Sequence, residues 1–208
     1  MRPAFTPQTA YIHPRVSGDK IRYFEWMGAA IFTADQRAGA MHGKQFLLDS
    51  VYAGIDSTFV YGRLDFAGPV PDMDFELVVN LESWANAEAR PRRTLRLDAK
   101  VRERQLKEWR VEGHEGSSSA SSPKCEESAK VALLRSFEFR LPLSSLLAKP
   151  VSGNHAGAVT STPAAIAPTS RLKLRFSLWH NRLPVDALPV EGWIELQLLS
   201  EWELAAGM

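Results

Sequence analysis

Apolar and polar residues alternate with a period of two through most of this chain, and no stretch of ten or more residues carries a helical stripe at i, i+3 and i+4. That pattern restricts the fold to sheet, because a period of two sets one face of a strand against a core and leaves the other toward solvent. Residues 94–101 are the clearest case: Leu95, Leu97, Ala99 and Val101 alternate with Arg96, Asp98 and Lys100. Residues 107–112 form an antiparallel partner for them. Residues 58–66 place Phe59, Tyr61, Arg63 and Asp65 on one face, and Val60, Gly62, Leu64 and Phe66 on the other.

Further strands are expected at 21–32, with Gly28 as a bend, and at 46–52, joined to 58–66 through a turn at 54–57. Others fall at 75–81, 131–141, 172–180 and 193–203, with one helical turn at 143–147 after Pro142. Gly68-Pro69-Val70-Pro71 stops the strand before it. Nine or ten short strands with so little helix predict an all-β fold, an immunoglobulin-like antiparallel sandwich. Two low-complexity stretches, 113–130 and 150–170, read as long flexible loops inside it. Residues 172–208 are too few for a core of their own, so the chain reads as a single domain over 1–208, with 1–10 an N-terminal extension.

Composition excludes several function classes. The net charge is +1, which gives no field for nucleic acid, and the basic run Arg90-Pro91-Arg92-Arg93 sits among acidic residues. No segment approaches the roughly 18 apolar residues of a membrane span, and the N-terminal stretch is not of signal-peptide type. A cytoplasmic protein without nucleic-acid or membrane partners is the expectation. The single cysteine, Cys125, has no disulfide partner in the chain and no nearby His and Asp arrangement for a nucleophile.

Catalytic motifs are missing as well. Residues 39–44 superficially resemble a phosphate-binding loop, but the spacing is one residue short and Gln45 replaces the Ser or Thr that would hold magnesium. The five histidines form no i, i+4 pair and have no cysteine partner, which argues against zinc. Paired carboxylates about 5 to 10 Å apart suffice for glycoside hydrolysis, yet such pairs arise by chance in any acidic-rich chain. Asp72 and Asp74, following Pro71, suit loop capping or at most a calcium site. No cofactor is expected, and a haem reading through Met41 or Met27 lacks a fixed histidine geometry.

Three stretches resemble the C-terminal β-sandwich domain of family 57 glycoside hydrolases. The first is Tyr11-Ile12-His13-Pro14-Arg15-Val16-Ser17-Gly18 leading into Tyr23-Phe24-Glu25-Trp26-Met27-Gly28-Ala29-Ala30. The second is Gly39-Ala40-Met41-His42 with Gly54-Ile55-Asp56 and Val60-Tyr61-Gly62-Arg63-Leu64-Asp65. The third is Phe176-Ser177-Leu178-Trp179-His180 with residues 183–189 and Gly192-Trp193. The resemblance implies a fold similar to family 9 carbohydrate-binding modules and DOMON domains. It also implies an accessory role beside a catalytic (β/α)-barrel, and nothing in this chain corresponds to that barrel. The chain is thus expected not to be an enzyme by itself. The implied partners are an α-glucan-like carbohydrate, a glycoside hydrolase catalytic domain, or both; the alternative is a structural domain that packs on such a barrel without binding sugar.

Sugar recognition uses aromatic platforms for the apolar faces of pyranose rings, with planar polar side chains for the hydroxyls. Core packing is the ordinary role for any one of the six tryptophans. The candidate binding residues are Glu25 with Trp26, Trp179 with His180, and Met41 with His42 in a Gly-flanked loop that could lie over a sheet.

Overall fold

The computed structural model describes residues 4–19, 23–34, 46–85, 90–115, 118–120, 123–147 and 170–206. Two antiparallel sheets pack face to face as an all-β sandwich. One contains β1 (Ala4–Thr6), β2 (Ala30–Thr33), β3 (Leu48–Ile55), β4 (Phe59–Phe66), β9 (Lys130–Leu133) and β10 (Ser136–Pro142), in the order β1-β2-β3-β4-β10-β9. The other contains β5 (Phe75–Ala85), β6 (Arg93–Arg102), β7 (Gln105–Glu115), β8 (Ser118–Ala120), β11 (Ser170–His180), β12 (Leu183–Leu188) and β13 (Ile194–Gln197). Its order is β12-β11-β5-β6-β7-β8, with β13 also paired to β11.

Alternation decides what lies between the sheets. Val51, Ala53 and Ile55 of β3, Val60 and Leu64 of β4, and Phe137, Phe139 and Leu141 of β10 are fully buried from one side. Leu77, Val79 and Leu81 of β5, Leu97, Ala99 and Val101 of β6, and Leu172 through Leu178 at every second position of β11 meet them from the other. Phe139 and Phe176 join the two layers, with ring centroids 6.0 Å apart. Each of these Val, Leu, Ile and Phe side chains contributes about 1.5–3 kcal/mol on burial.

The six-stranded sheet is buried on its outer face too. Residues 7–19 and 23–29 form a strap over it, in which Ile12, Val16, Trp26 and Ala29 pack on Tyr61, with Tyr52, Phe59 and Ala132 alongside. Beneath the strap Arg63 is only 2% exposed and Glu138 1%. A buried charge needs partners, and both have them. The Arg63 guanidinium donates twice to Asp65, at 2.8 Å each, and Glu138 Oε2 accepts from the Ser17 and Gly18 N–H groups at 2.9 and 2.8 Å.

Several boundaries differ from the sequence reading. Residues 21–32 are not one strand: Tyr23–Trp26 is a 3₁₀ turn, Gly28 follows at φ +90°, and only then does β2 begin. The 1–10 extension contains β1, which pairs with β2. The β3–β4 turn falls at Asp56–Thr58, because Gly54 and Ile55 still pair with Tyr61 and Val60. Residues 131–141 divide into β9 and β10 around Leu134-Arg135. The end of the chain holds β12, which was not foreseen, and α2 (Glu201–Ala206) where 193–203 reads as strand. The stretch 113–130, expected as a loop, contains the end of β7, β8 and α1 (Pro123–Ser128), whose Cys125 plugs into the core at 1% exposure. Ser-rich composition hid these elements. The 150–169 part of the second loop lies outside the described residues.

Candidate functional site

At one end of the seven-stranded sheet, the start of β5, the end of β6 and the β11–β12 turn converge. Phe75 sinks into the core at 1% exposure, so the next residue, Glu76, turns to the outer face. There it stands between Trp179 of β11 and Lys100 of β6 in register. The pairing of β11 with β12 shifts between Leu178 and Trp179. The two residues of the following turn, Asn181 and Arg182, both take left-handed backbone angles, φ 50° and 64°, the geometry of a tight hairpin. Asp74, Phe75, Glu76, Arg102, Trp179, Asn181 and Arg182 line a cleft of about 290 Å³, at the lower edge of the ~300–1,000 Å³ of small-molecule sites.

The hydrogen bonds fix the walls of this cleft. The indole N–H of Trp179 donates to Ser177 Oγ at 2.9 Å, and that hydroxyl donates to the Val78 carbonyl at 3.4 Å. The half-buried ring is held at its polar edge. His180 Nδ1 is 2.6 Å from the Asp74 carbonyl oxygen, and His180 Nε2 is 3.0 Å from Asn181 Nδ2. Arg102 reaches Asp74 at 3.5 Å. The side chains of Glu76 and Arg182, by contrast, have no hydrogen-bond or ion-pair partner among the described residues. An acceptor and a donor thus line the same cleft as a positioned indole.

The carboxylates of Asp72 and Asp74, the calcium candidates, each face a guanidinium, Asp72 that of Arg104 at 3.3 Å and Asp74 that of Arg102 at 3.5 Å. Among the described residues no group of three His, Cys, Asp or Glu side chains is arranged to hold a metal ion. Behind the same segment lies a second hollow of about 380 Å³, lined by Phe46, Leu47, Val70, Pro71, Met73 and Arg104, among others.

Of the candidate residues, Trp179 lines the cleft and His180 buttresses it. Glu25 and Trp26 are elsewhere, on the opposite sheet. Trp26 is 4% exposed and packs edge-on against Tyr52 with centroids 6.3 Å apart. It is a packing residue of the strap rather than a platform, because its ring is closed off from any sugar. Glu25 Oε2 accepts the Arg15 N–H at 3.0 Å, tying the two ends of the strap together. Met41 and His42 lie outside the described residues. Sequence reasoning missed Glu76, Arg102, Asn181 and Arg182. The Asn-Arg pair between two strand patterns was a usable hairpin signal, whereas the meeting of Glu76 with Trp179 depends on a pairing across about a hundred residues of chain that no local pattern reveals.

A second polar cluster secures the strap near the β3–β4 turn. Asp56 Oδ1 accepts the Thr58 and Phe59 N–H groups, and Oδ2 accepts the Tyr61 hydroxyl at 2.7 Å and meets His13 Nδ1 at 3.0 Å. Burial pushes the Asp56 carboxyl up, but the bonds from Tyr61, Phe59, Thr58 and His13 together outweigh it and hold it below the usual range. Burial, then the hydrogen bond to Asp56, pushes the Tyr61 phenol far up. Every oxygen of this carboxylate is engaged, so the cluster reads as a latch.

No family model, curated protein or solved structure matches the chain.

Proposed function

We propose that this chain is a non-catalytic carbohydrate-binding module with the Trp179 cleft as its sugar site. The observation that carries the reading is a pinned, half-buried indole that shares its cleft with Glu76 and Arg182, whose side chains have no hydrogen-bond or ion-pair partner among the described residues. Aromatic platforms with acceptors and donors at the rim are the chemistry of pyranose recognition. The resemblance to the C-terminal domain of family 57 glycoside hydrolases supports an α-glucan as the sugar and an accessory role beside a catalytic barrel. Cys125, a buried free thiol, fits a reducing compartment such as the cytoplasm. No helix among the described residues is long and apolar enough to cross a membrane. Affinity electrophoresis through gels containing glycogen, starch or an unrelated β-glucan tests the proposal: retardation by an α-glucan supports it, and equal mobility in every gel contradicts it.

One observation favours the alternative of a domain that packs on a catalytic barrel. Phe24 and Met27, both on or beside the 3₁₀ turn of the strap, are 81% and 62% exposed, an apolar pair that a partner surface would cover. Ultracentrifugation of the chain with a family 57 catalytic barrel separates the readings, since only packing on the barrel requires a complex without sugar.

A further inference from the structure

We infer that Arg175 and Asn80 form an oxyanion subsite on the outer face of the seven-stranded sheet, beside the Trp179 cleft. The glycan it takes bears a carboxylate or phosphate on a sugar next to the one over the indole. The inference rests on the reading of the Trp179 cleft as a sugar site and names the class of glycan.

Alternation and register place the subsite. Leu174 and Phe176 of β11, Val79 and Leu81 of β5, and Leu95 and Leu97 of β6 are buried between the sheets. Arg175, Asn80 and Arg96, each between two of these, therefore turn to the outer face. They stand side by side there, Arg175 opposite Asn80 and Asn80 opposite Arg96. Trp179 is on the same face, four residues further along β11, about 13 Å away at the rise of a strand. Ser177 stands between the two and accepts the indole N–H at 2.9 Å, so the polar edge of the indole lies on the Arg175 side.

The partners of the surrounding charges single out Arg175. Asp98 accepts from Arg96 Nε at 2.8 Å and faces Arg110 at 3.5 Å. Glu112 faces Arg110 at 3.4 Å, and Glu82 accepts the indole N–H of Trp84 at 2.9 Å. Each nearby carboxylate is thus engaged. Arg175 Nη2 donates to the Val190 carbonyl at 3.0 Å, which anchors the guanidinium without neutralising it. Among the described residues Arg175 has no carboxylate partner, and the Asn80 side chain has no hydrogen bond.

The chemistry of these groups selects the ligand. A guanidinium fork matches the paired oxygens of a carboxylate or phosphate, and a neighbouring amide adds an N–H donor. A sugar hydroxyl can accept one of these hydrogen bonds but leaves the charge on Arg175 unmatched, whereas an oxyanion answers both. The separation from Trp179 exceeds one pyranose ring, so the charged group belongs on a neighbouring unit of a chain. A free acidic monosaccharide cannot reach both places.

Calorimetry of the full chain at low salt tests the subsite with three ligands: maltoheptaose, the same oligosaccharide oxidised to carboxylates at C6, and the same oligosaccharide phosphorylated at C6. The expected result is about fivefold tighter binding of a charged ligand than of the neutral one, the upper range for an exposed charge pair. The ligand that gains identifies the oxyanion. The preference should shrink as salt is raised and vanish in Arg175→Gln. It should persist in Arg135→Gln, which removes an equal charge from the β9–β10 turn of the other sheet. Charged ligands that bind no tighter than maltoheptaose, or a preference that survives Arg175→Gln, would overturn the inference. Nuclear magnetic resonance with inorganic phosphate separates this from the sugar reading. If no oligosaccharide binds but phosphate moves the Asn80 amide and Arg175 Nε signals, the sugar reading falls and the oxyanion subsite stands; signals that ignore phosphate would overturn the subsite.

Discussion

Removing the Glu138 carboxylate is expected to cost about a third of the fold's stability. This side chain grows from the outer face of β10, is 1% exposed, and receives the N–H groups of Ser17 and Gly18 at 2.9 and 2.8 Å and the Ser136 hydroxyl at 3.4 Å. Hydrogen bonds to a charged acceptor contribute about 1.5–3 kcal/mol each. The strap has little freedom to find others. Gly18 sits at φ +67°, and a Cβ built there would lie 2.8 Å from Leu134 N, so this corner of the chain is fitted closely to the β9–β10 turn. Glu138→Ala leaves two strap amides without their acceptor, and allowing for water that enters as the strap lifts, the expected loss is about 3–4 kcal/mol against the 5–15 kcal/mol typical of a domain. Arg63 keeps its own partner, Asp65, so the loss should not include an uncompensated cation. Glu138→Gln retains one carbonyl acceptor and should recover about half of the loss. Urea denaturation followed by tryptophan fluorescence gives the stabilities, and hydrogen exchange at Ser17 and Gly18 locates the effect. A loss under about 1 kcal/mol, with those two amides still protected, would refute the view that this carboxylate holds the strap down.

Three further predictions address the core, the latch and the thiol. A Cβ at Gly62 would fall 2.3 Å from Phe139 Cε1, and that ring is wedged against Phe137 and Phe176; Gly62→Ala should therefore cost about 2–3 kcal/mol in the same urea assay, and a neutral result would mean the ring can slide. Because the Asp56 carboxyl is held below its unfolded range, its contribution to stability is complete above that range, near pH 4, and is lost as the pH falls through the lower folded value. Asp56→Asn should accordingly flatten the decline of stability below about pH 4, and an unchanged slope would show that the latch is not charge-dependent. Burial pushes the Cys125 thiol up, reinforced by Glu126 and partly offset by Ser145; a disulfide reagent at pH 8 should leave it unmodified until denaturant is added, whereas rapid labelling of the native chain would contradict its place in the core.

The layers of the fold were legible because they depend on local alternation. Leu95, Leu97, Ala99 and Val101 announce which face of β6 is buried, and they are buried. What alternation could not convey is that one sheet is covered on both sides. Tyr61 and Arg63 share the face of β4 that points away from the space between the sheets, yet the strap lies over them and both are buried. Trp26 was misjudged for the same reason: its aromatic and acidic neighbours look like a binding pair until the ring is seen packed on Tyr52. Elements carried by small polar residues, such as β8 in a run of serines, had no apolar period to betray them. The cleft was half legible. Trp179 and His180 sit together in sequence, while Glu76 and Arg102 reach them only through the β11–β5–β6 pairing, a property of the folded sheet.

Sugar binding at Trp179 and its rim, as proposed above, is open to a single measurement. Isothermal calorimetry of maltoheptaose into the full chain and into Trp179→Ala tests it most directly, since the indole lies on the solvent side of the sheet and its removal leaves the buried residues of β11 in place. Binding by the full chain that falls at least about tenfold in the variant, the worth of one aromatic platform, is the predicted result. Undiminished binding by a folded Trp179→Ala chain would rule out this cleft as the sugar site, as would no heat from the full chain with maltoheptaose or any other sugar.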